Sequence, residues 1–292
     1  MVESQRVRKT TFYLKDLQDS KHGLDQPILY YILRKLSLKS HLYAILLKMI
    51  SAVILTKNSQ PLLSKVLSSL ESFSEVIILD TGSTDETINI AKKFSNISTY
   101  TSFFEGFGPL RNRGAALAKN DWVMAIDSDE ILSEALVEEI RQKSLDENCV
   151  YCFPFFNFYN EKQIKWCGWY PENHIRLYNR KKTRFNEKKV HEAIEIENLK
   201  IDSFKNPILH YPFRSIDDLL VKSQLYSSLY KQNNPDIRSS VFKAILHGSF
   251  AFFKSYFLKR GFLGGREGFI ISWYIAHSSF CKYLKLTENK CS

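Results

Sequence analysis

The chain has 292 residues, of which 44% are hydrophobic and 14% aromatic, enough for a large core and too apolar for a disordered chain. No run of about 18 uncharged apolar residues occurs, which excludes a transmembrane helix. The net charge of +10 sits at the two ends: +5 over residues 1–48, +6 over 239–292 and −1 between them. That pattern suits docking on an anionic surface better than a basic nucleic-acid cleft.

In chain order, residues 1–26 are polar and irregular, and 27–50 are basic and apolar with helical spacing (Ile28, Tyr31, Ile32, Lys35). Met49 opens a run that reads like a protein start, so residues 1–48 are either an accessory surface helix or upstream read-through. A regular rhythm follows: a strand over 50–55, a helix over 61–72, and a strand over 75–79 that ends at Asp80. A helix over 84–94, an extended segment over 98–102, a helix over 110–119, a strand over 121–126 and a helix over 133–143 complete it. Short strands alternating with helices predict an α/β fold with a parallel sheet covered on both faces. Ligands in such sheets bind beyond the carboxyl ends of the strands.

After residue 145, strands over 150–159, 174–179, 190–196 and 208–211 suit an antiparallel or mixed portion. From Ser215 the chain reads as helical, with breaks near Pro235 and over 261–265. The five cysteines (Cys149, Cys152, Cys167, Cys281 and Cys291) are odd in number and follow no signal peptide, which points to free thiols in a reducing compartment. Cys149 and Cys152 fall in a strand-like run where their spacing turns them to opposite faces, so packing explains them better than a metal.

The candidate chemistry follows the strands. After the first come Thr56, Lys57 and Asn58, without the glycine-rich turn of a dinucleotide or Walker-type phosphate site. The second ends in Asp80-Thr81-Gly82-Ser83-Thr84-Asp85-Glu86-Thr87, where Asp80 can accept from a ligand and Ser83 or Thr84 can cap the next helix. The fourth ends in Asp127-Ser128-Asp129-Glu130. Carboxylates crowded at a strand end repel one another unless a cation intervenes, and hard oxygen ligands suit Mg²⁺ or Mn²⁺ bridging a diphosphate. The alternative to metal or nucleotide binding here is a solvated turn capping the helix from Ser133. Between these strands, Arg111 and Arg113 stand in the first turns of a helix, where side chains and free N–H groups can bind phosphate oxygens.

The segments ISAVILTKN (50–58), EVIILDTGSTDET (75–87), RNRGAALAKNDWVMAIDSDE (111–130) and VHE (190–192) resemble the inverting family-2 glycosyltransferases of GT-A fold. The resemblance is greatest to bacterial enzymes of lipopolysaccharide core biosynthesis. It is strong over 49–131 and looser through 169–180 and 256–269. It implies a GT-A-type, mostly parallel sheet flanked by helices, with base contacts at Thr56, Asn58 and Asp80. It also implies ribose or phosphate contact at Asp127, metal contact at Asp129, and a sugar or phosphate role for Arg111. The Glu-Asp base motif of many polymer-forming members does not occur after residue 131.

Inverting transfer still requires a base opposite the leaving group. Glu192, and after it His191, are the candidates; in an extended strand only one of the two would face the cleft. Trp169 and Arg176 are candidates for the acceptor, through ring stacking and phosphate pairing. Aromatic residues alternating with lysine and arginine over 243–266 suit an interfacial helix on anionic lipid.

The expected organisation is a basic extension (1–48), a catalytic domain (49–214, divided near 131 into nucleotide and acceptor halves) and a helical basic extension (215–292). The expected activity moves a sugar from a nucleotide-sugar, a UDP-sugar by preference, to a lipid-linked saccharide. The expected place is the cytoplasmic face of the inner membrane, with Mg²⁺ or Mn²⁺ and no nucleic acid. Rival readings are a polyprenyl-phosphate acceptor, which needs no base; a nucleic-acid or anionic-surface binding module; and a phosphatase using Asp127 and Asp129.

Overall fold

The structure, a computed structural model, describes residues 47, 49–189 and 191–289. The expectations for residues 1–46 lie outside them. From Leu47 onward the chain packs as one compact unit.

The first half alternates as its sequence suggests: β1 (Ile50–Thr56), α1 (Gln60–Ser69), β2 (Glu75–Asp80), α2 (Thr87–Ala91), β3 (Ile97–Thr101), α3 (Phe107–Leu117) and β4 (Trp122–Asp127). These strands lie parallel in the order β3-β2-β1-β4. Strands covered on both faces need apolar residues at every position, and β2 is buried throughout. Alternation sorts the side chains into two layers. Ala52, Ile54, Val76, Ile78, Met124 and Ile126 pack with Leu63 and Val66 of α1. Val53, Ile77, Leu79, Val123 and Ala125 pack with Leu110 and Ala115 of α3 on the other side.

The second half is mixed. It contains β5 (Glu130–Leu132), α4 (Glu134–Gln142), β6 (Cys149–Tyr159), β7 (Lys162–Gln163), β8 (Glu172–Asn179), β9 (Lys200–Ser203) and β10 (Ile208–Phe213). β8 joins β4 to β6 antiparallel on both sides, while β9 and β10 run parallel to β6. Ser133 caps α4 as expected, its hydroxyl accepting from the Leu136 N–H at 3.2 Å.

Two local expectations fail. Ser83 and Thr84 do not cap α2, which begins at Thr87 without a side-chain cap; they bond to Asp80 and Asn58 instead. The strand expected over 190–196 is absent among the described residues. His191 has a left-handed φ of 59°, and only an isolated bridge joins Ile194 to Phe185.

Beyond β10 the chain is helical: α5 (Ile216–Asn233), α6 (Val241–Phe253), a π turn (Lys254–Leu258), a 3-10 turn (Gly261–Gly264) and α7 (Gly265–Lys285). The interruptions fall where proline and the glycines stand. Leu219 and Ile271 bury against Tyr159, Ile164 and Phe213, fixing this layer to the end of the sheet.

Candidate active site

Sheet register brings the strand ends together: Thr56 lies opposite Asp80, and Leu55 opposite Asp127. The Asp80 carboxylate accepts from the Thr56 hydroxyl at 2.9 Å, the Ser83 hydroxyl, and the N–H groups of Gly82 and Ser83 at 3.0 and 2.8 Å. Against partial burial, these donors hold it below the usual carboxylate range. Asn58, at φ 51°, receives the Thr84 N–H at 2.8 Å and donates its own N–H to the Ser83 hydroxyl at 2.8 Å. The turns after β1 and β2 are thus laced to each other, and Asp80 braces Thr56 from beneath.

At the end of β4, Asp127 stands between the buried Arg111 and the half-buried Arg176. Arg111 Nη2 donates to its Oδ1 at 2.7 Å and Arg176 Nη2 to its Oδ2 at 3.0 Å. Arg111 also donates through Nε to Glu192 Oε1 at 2.9 Å, and Arg176 pairs with the fully buried Glu130. Burial pushes the Glu130 carboxyl up to about 8, against the pull of Arg176. Burial works the same way on Asp127, but the guanidiniums of Arg111 and Arg176 outweigh it and hold Asp127 well below the usual range. Arg111 Nη1 is buried with no partner among the described residues, a donor left over for a ligand.

Thr56, Arg111, Asp127, Asp129, His191 and Glu192 all line one cavity of about 660 Å³. The loop carrying the last two is seated on the start of α3, where the Phe107 N–H donates to Lys189 O at 3.1 Å and the Gly108 N–H to Lys188 O at 3.2 Å. A Cβ on Gly108 would lie 2.0 Å from Asn186 O, so only glycine allows this approach. Two corrections follow. The N–H groups expected to bind phosphate at this helix start are already used by the loop. His191 and Glu192 both line the cavity, because the backbone there is left-handed and not extended.

Neither acceptor candidate lines this cavity. Arg176 is 13% exposed; its Nη2 pairs with both Asp127 and Glu130, while its Nε is buried with no partner among the described residues. Trp169 stacks on Phe213, with ring centroids 5.6 Å apart, and lines no part of the cavity. Asn58 and Asp129 share an adjoining cavity of about 440 Å³.

Sequence reasoning missed His210 of β10, which lines the 660 Å³ cavity with its Nε2 3.7 Å from Asp129 Oδ1. Asn157 donates through Nδ2 to Trp169 O at 3.0 Å, so its Oδ1 is the acceptor for His210 Nδ1–H at 2.7 Å. Burial holds the imidazole below its ordinary pKa; in the neutral ring, Nδ1–H directed at Asn157 leaves the lone pair on Nε2. A carboxylate beside an oriented neutral imidazole fits a divalent cation whose remaining positions come from phosphate oxygens and water. Among the described residues no three His, Cys, Asp or Glu side chains converge as a closed metal site. Also missed were Lys222 and Tyr226 of α5, which cover the cavity, and Phe104 and Phe107, which meet edge to face beside it. No local pattern marks these residues.

Comparison with known proteins places this geometry. The model of the family described as "Glycosyl transferase family 2" matches residues 51–200. An "uncharacterized glycosyltransferase" of Rickettsia typhi is 30% identical, over 83% of this chain and 88% of its own. The "lipopolysaccharide core biosynthesis glycosyltransferase LpsC" of Rhizobium meliloti is 26% identical, over 76% of this chain and 85% of its own. Among solved structures, S. aureus TarS in complex with UDP-GlcNAc matches 79% of this chain and 91% of its own, at 13% identity and a TM-score of 0.39. That last likeness is too distant to carry residue roles.

Proposed function

The chain belongs to glycosyl transferase family 2 and is a glycosyltransferase; from that premise we propose that it transfers a sugar, with inversion, from a nucleotide-sugar to a saccharide attached to a membrane lipid. One observation carries this reading: Thr56, Arg111, Asp127, Asp129 and Glu192, from four separate segments, meet around a single cavity at the carboxyl edge of the sheet.

The nucleoside, a uridine by preference, sits against the laced turns at Thr56 and Asn58, which Asp80 keeps in place. Arg111 Nη1 supplies a donor to a diphosphate oxygen. Asp127 holds Arg111 in position and contacts the ribose or phosphate at its open side. Asp129 and His210 would hold Mg²⁺ or Mn²⁺, which neutralises charge on the diphosphate. The acceptor hydroxyl oxygen bonds to the anomeric carbon while the bond from that carbon to the diphosphate oxygen breaks. The electron pair leaves with the diphosphate, and the proton passes to the Glu192 carboxylate, whose Oε1 is already fixed by Arg111.

The lipid-linked acceptor is supported by the surface of the helical layer. Phe242 (70% exposed), Phe250, Phe257, Leu258 and Phe262 are exposed beside Lys254, Lys259 and Arg260. No described helix is long and apolar enough to cross a membrane, so this face would lie in the interface of an anionic leaflet. The likeness to the lipopolysaccharide core enzyme favours that glycolipid, at the cytoplasmic face of the inner membrane.

The test is a thermal-shift screen of UDP-, GDP-, ADP- and CMP-sugars with and without Mn²⁺. A ligand at 100 times its dissociation constant adds about 2.7 kcal/mol, so the true donor raises the melting temperature, and does so with metal. No shift from any nucleotide-sugar would overturn the reading.

A further inference from the structure

A second cavity, of about 820 Å³, lies between α5, α6, α7 and the residues Lys188, Lys189 and His191. It shares His191 and Tyr226 with the 660 Å³ cavity. The two spaces are therefore neighbours across a wall that carries His191, beside the candidate base Glu192.

The lining differs in kind from that of the first cavity. Tyr226, Tyr230 and Tyr283 present rings, and His247 stacks flat on Tyr283 with centroids 3.8 Å apart. Flat aromatic faces bury the C–H face of a sugar ring. Ser223, Ser227 and Asn233 add hydroxyl and amide groups that match sugar hydroxyls.

The charge is one-sided. Lys188, Lys189 and Lys282 line the space, and no described lining residue is a carboxylate. The Lys282 ammonium stands 3.7 Å over the Tyr230 ring, a placement that keeps the cation in the cavity without neutralising it. Lys188 and Lys189 are exposed at the rim and Lys282 is half-buried; three lysines on one half-open cavity with no carboxylate opposite them favour an anion.

We propose that this cavity is the acceptor subsite and that it takes a saccharide bearing a phosphate or carboxylate group. The rings hold the sugar, the lysines hold the anionic substituent, and a hydroxyl is presented at His191 and Tyr226, which line both cavities, toward Glu192. This assignment rests on the glycosyltransferase reading above. It replaces Trp169 and Arg176 as the acceptor contacts.

The test measures binding of three probes to the full chain in UDP and Mn²⁺. They are a deacylated, phosphorylated lipopolysaccharide core oligosaccharide, the same oligosaccharide after phosphatase treatment, and a hexose 6-phosphate. The phosphorylated oligosaccharide should bind about tenfold tighter than the dephosphorylated one. Lys189→Met with Lys282→Met should abolish that preference, and Tyr283→Ala should weaken both oligosaccharides. UDP affinity, measured on the same samples, should stay within about twofold, which shows that the variants are folded. Equal binding before and after phosphatase treatment, or lysine variants that keep the preference, would overturn the proposal. Hexose 6-phosphate binding as tightly as the phosphorylated oligosaccharide would support the subsite and assign it to a soluble sugar phosphate. Absence of UDP binding by the unmodified protein would count against the donor site and leave the oligosaccharide result to stand by itself.

Discussion

Arg111 and Glu192, 81 residues apart, are joined by a 2.9 Å hydrogen bond from Nε to Oε1, and the same guanidinium holds Asp127 at 2.7 Å. One buried cation thus fixes both a strand-end carboxylate and the candidate base. Arg111→Met should leave Glu192 without this partner and Asp127 with Arg176 alone, and cost about 3 kcal/mol of stability. Arg111→Lys keeps the charge but cannot bridge both carboxylates, so it should fold and lose nucleotide affinity. Urea denaturation with a parallel nucleotide titration checks both; an unchanged midpoint in Arg111→Met would contradict the pairing.

Glu192→Gln keeps a carbonyl for Arg111 and removes the proton acceptor. Turnover should fall by about 10²- to 10⁴-fold with donor affinity preserved. Normal turnover would mean that the acceptor is already ionised, as a polyprenyl phosphate is, and that no base is needed.

Gly108→Ala probes the seat of the catalytic loop. The added methyl would meet the Asn186 carbonyl, and such overpacking costs about 1–3 kcal/mol. The contacts of Lys188 and Lys189 with α3 should loosen and Glu192 should shift, so turnover should fall further than nucleotide binding. Loss of binding and turnover in equal proportion would show that the loop does not act by placing Glu192.

The aromatic and basic face of the helical layer should bind vesicles containing phosphatidylglycerol, and high salt should release it. Lys259→Glu with Arg260→Glu should weaken sedimentation with these vesicles; each basic residue near the surface contributes about 1 kcal/mol. Equal binding to neutral vesicles would contradict an electrostatic contribution.

The nucleotide half was legible because its strands are buried on both faces and therefore read as unbroken apolar runs, and because the residues at their ends are displayed by that burial alone. Ile50–Thr56, Glu75–Asp80 and Trp122–Asp127 are such cases. The strands β5, β7 and β9 have two to four residues and exist through their partners, so no local pattern announces them. His191 and Glu192 were identified as residues but placed on a strand, because the seat that bends their loop is supplied by α3, some 80 positions earlier. Arg176 reads as a strand arginine near a cleft. Only the fold reveals that its Nη2 is paired with Asp127 and Glu130. His210 stands in an apolar strand with no neighbouring ligand in sequence, and its orientation by Asn157 is a tertiary fact.

The most direct measurement is a calorimetric titration of UDP into the protein in Mn²⁺ and in EDTA, repeated on Asp129→Asn. The expected result is binding that requires the metal and weakens at least about tenfold in the variant. Equal affinity in EDTA, or an Asp129→Asn protein that binds UDP as the original does, would contradict the proposal that this cavity grips a diphosphate through a cation.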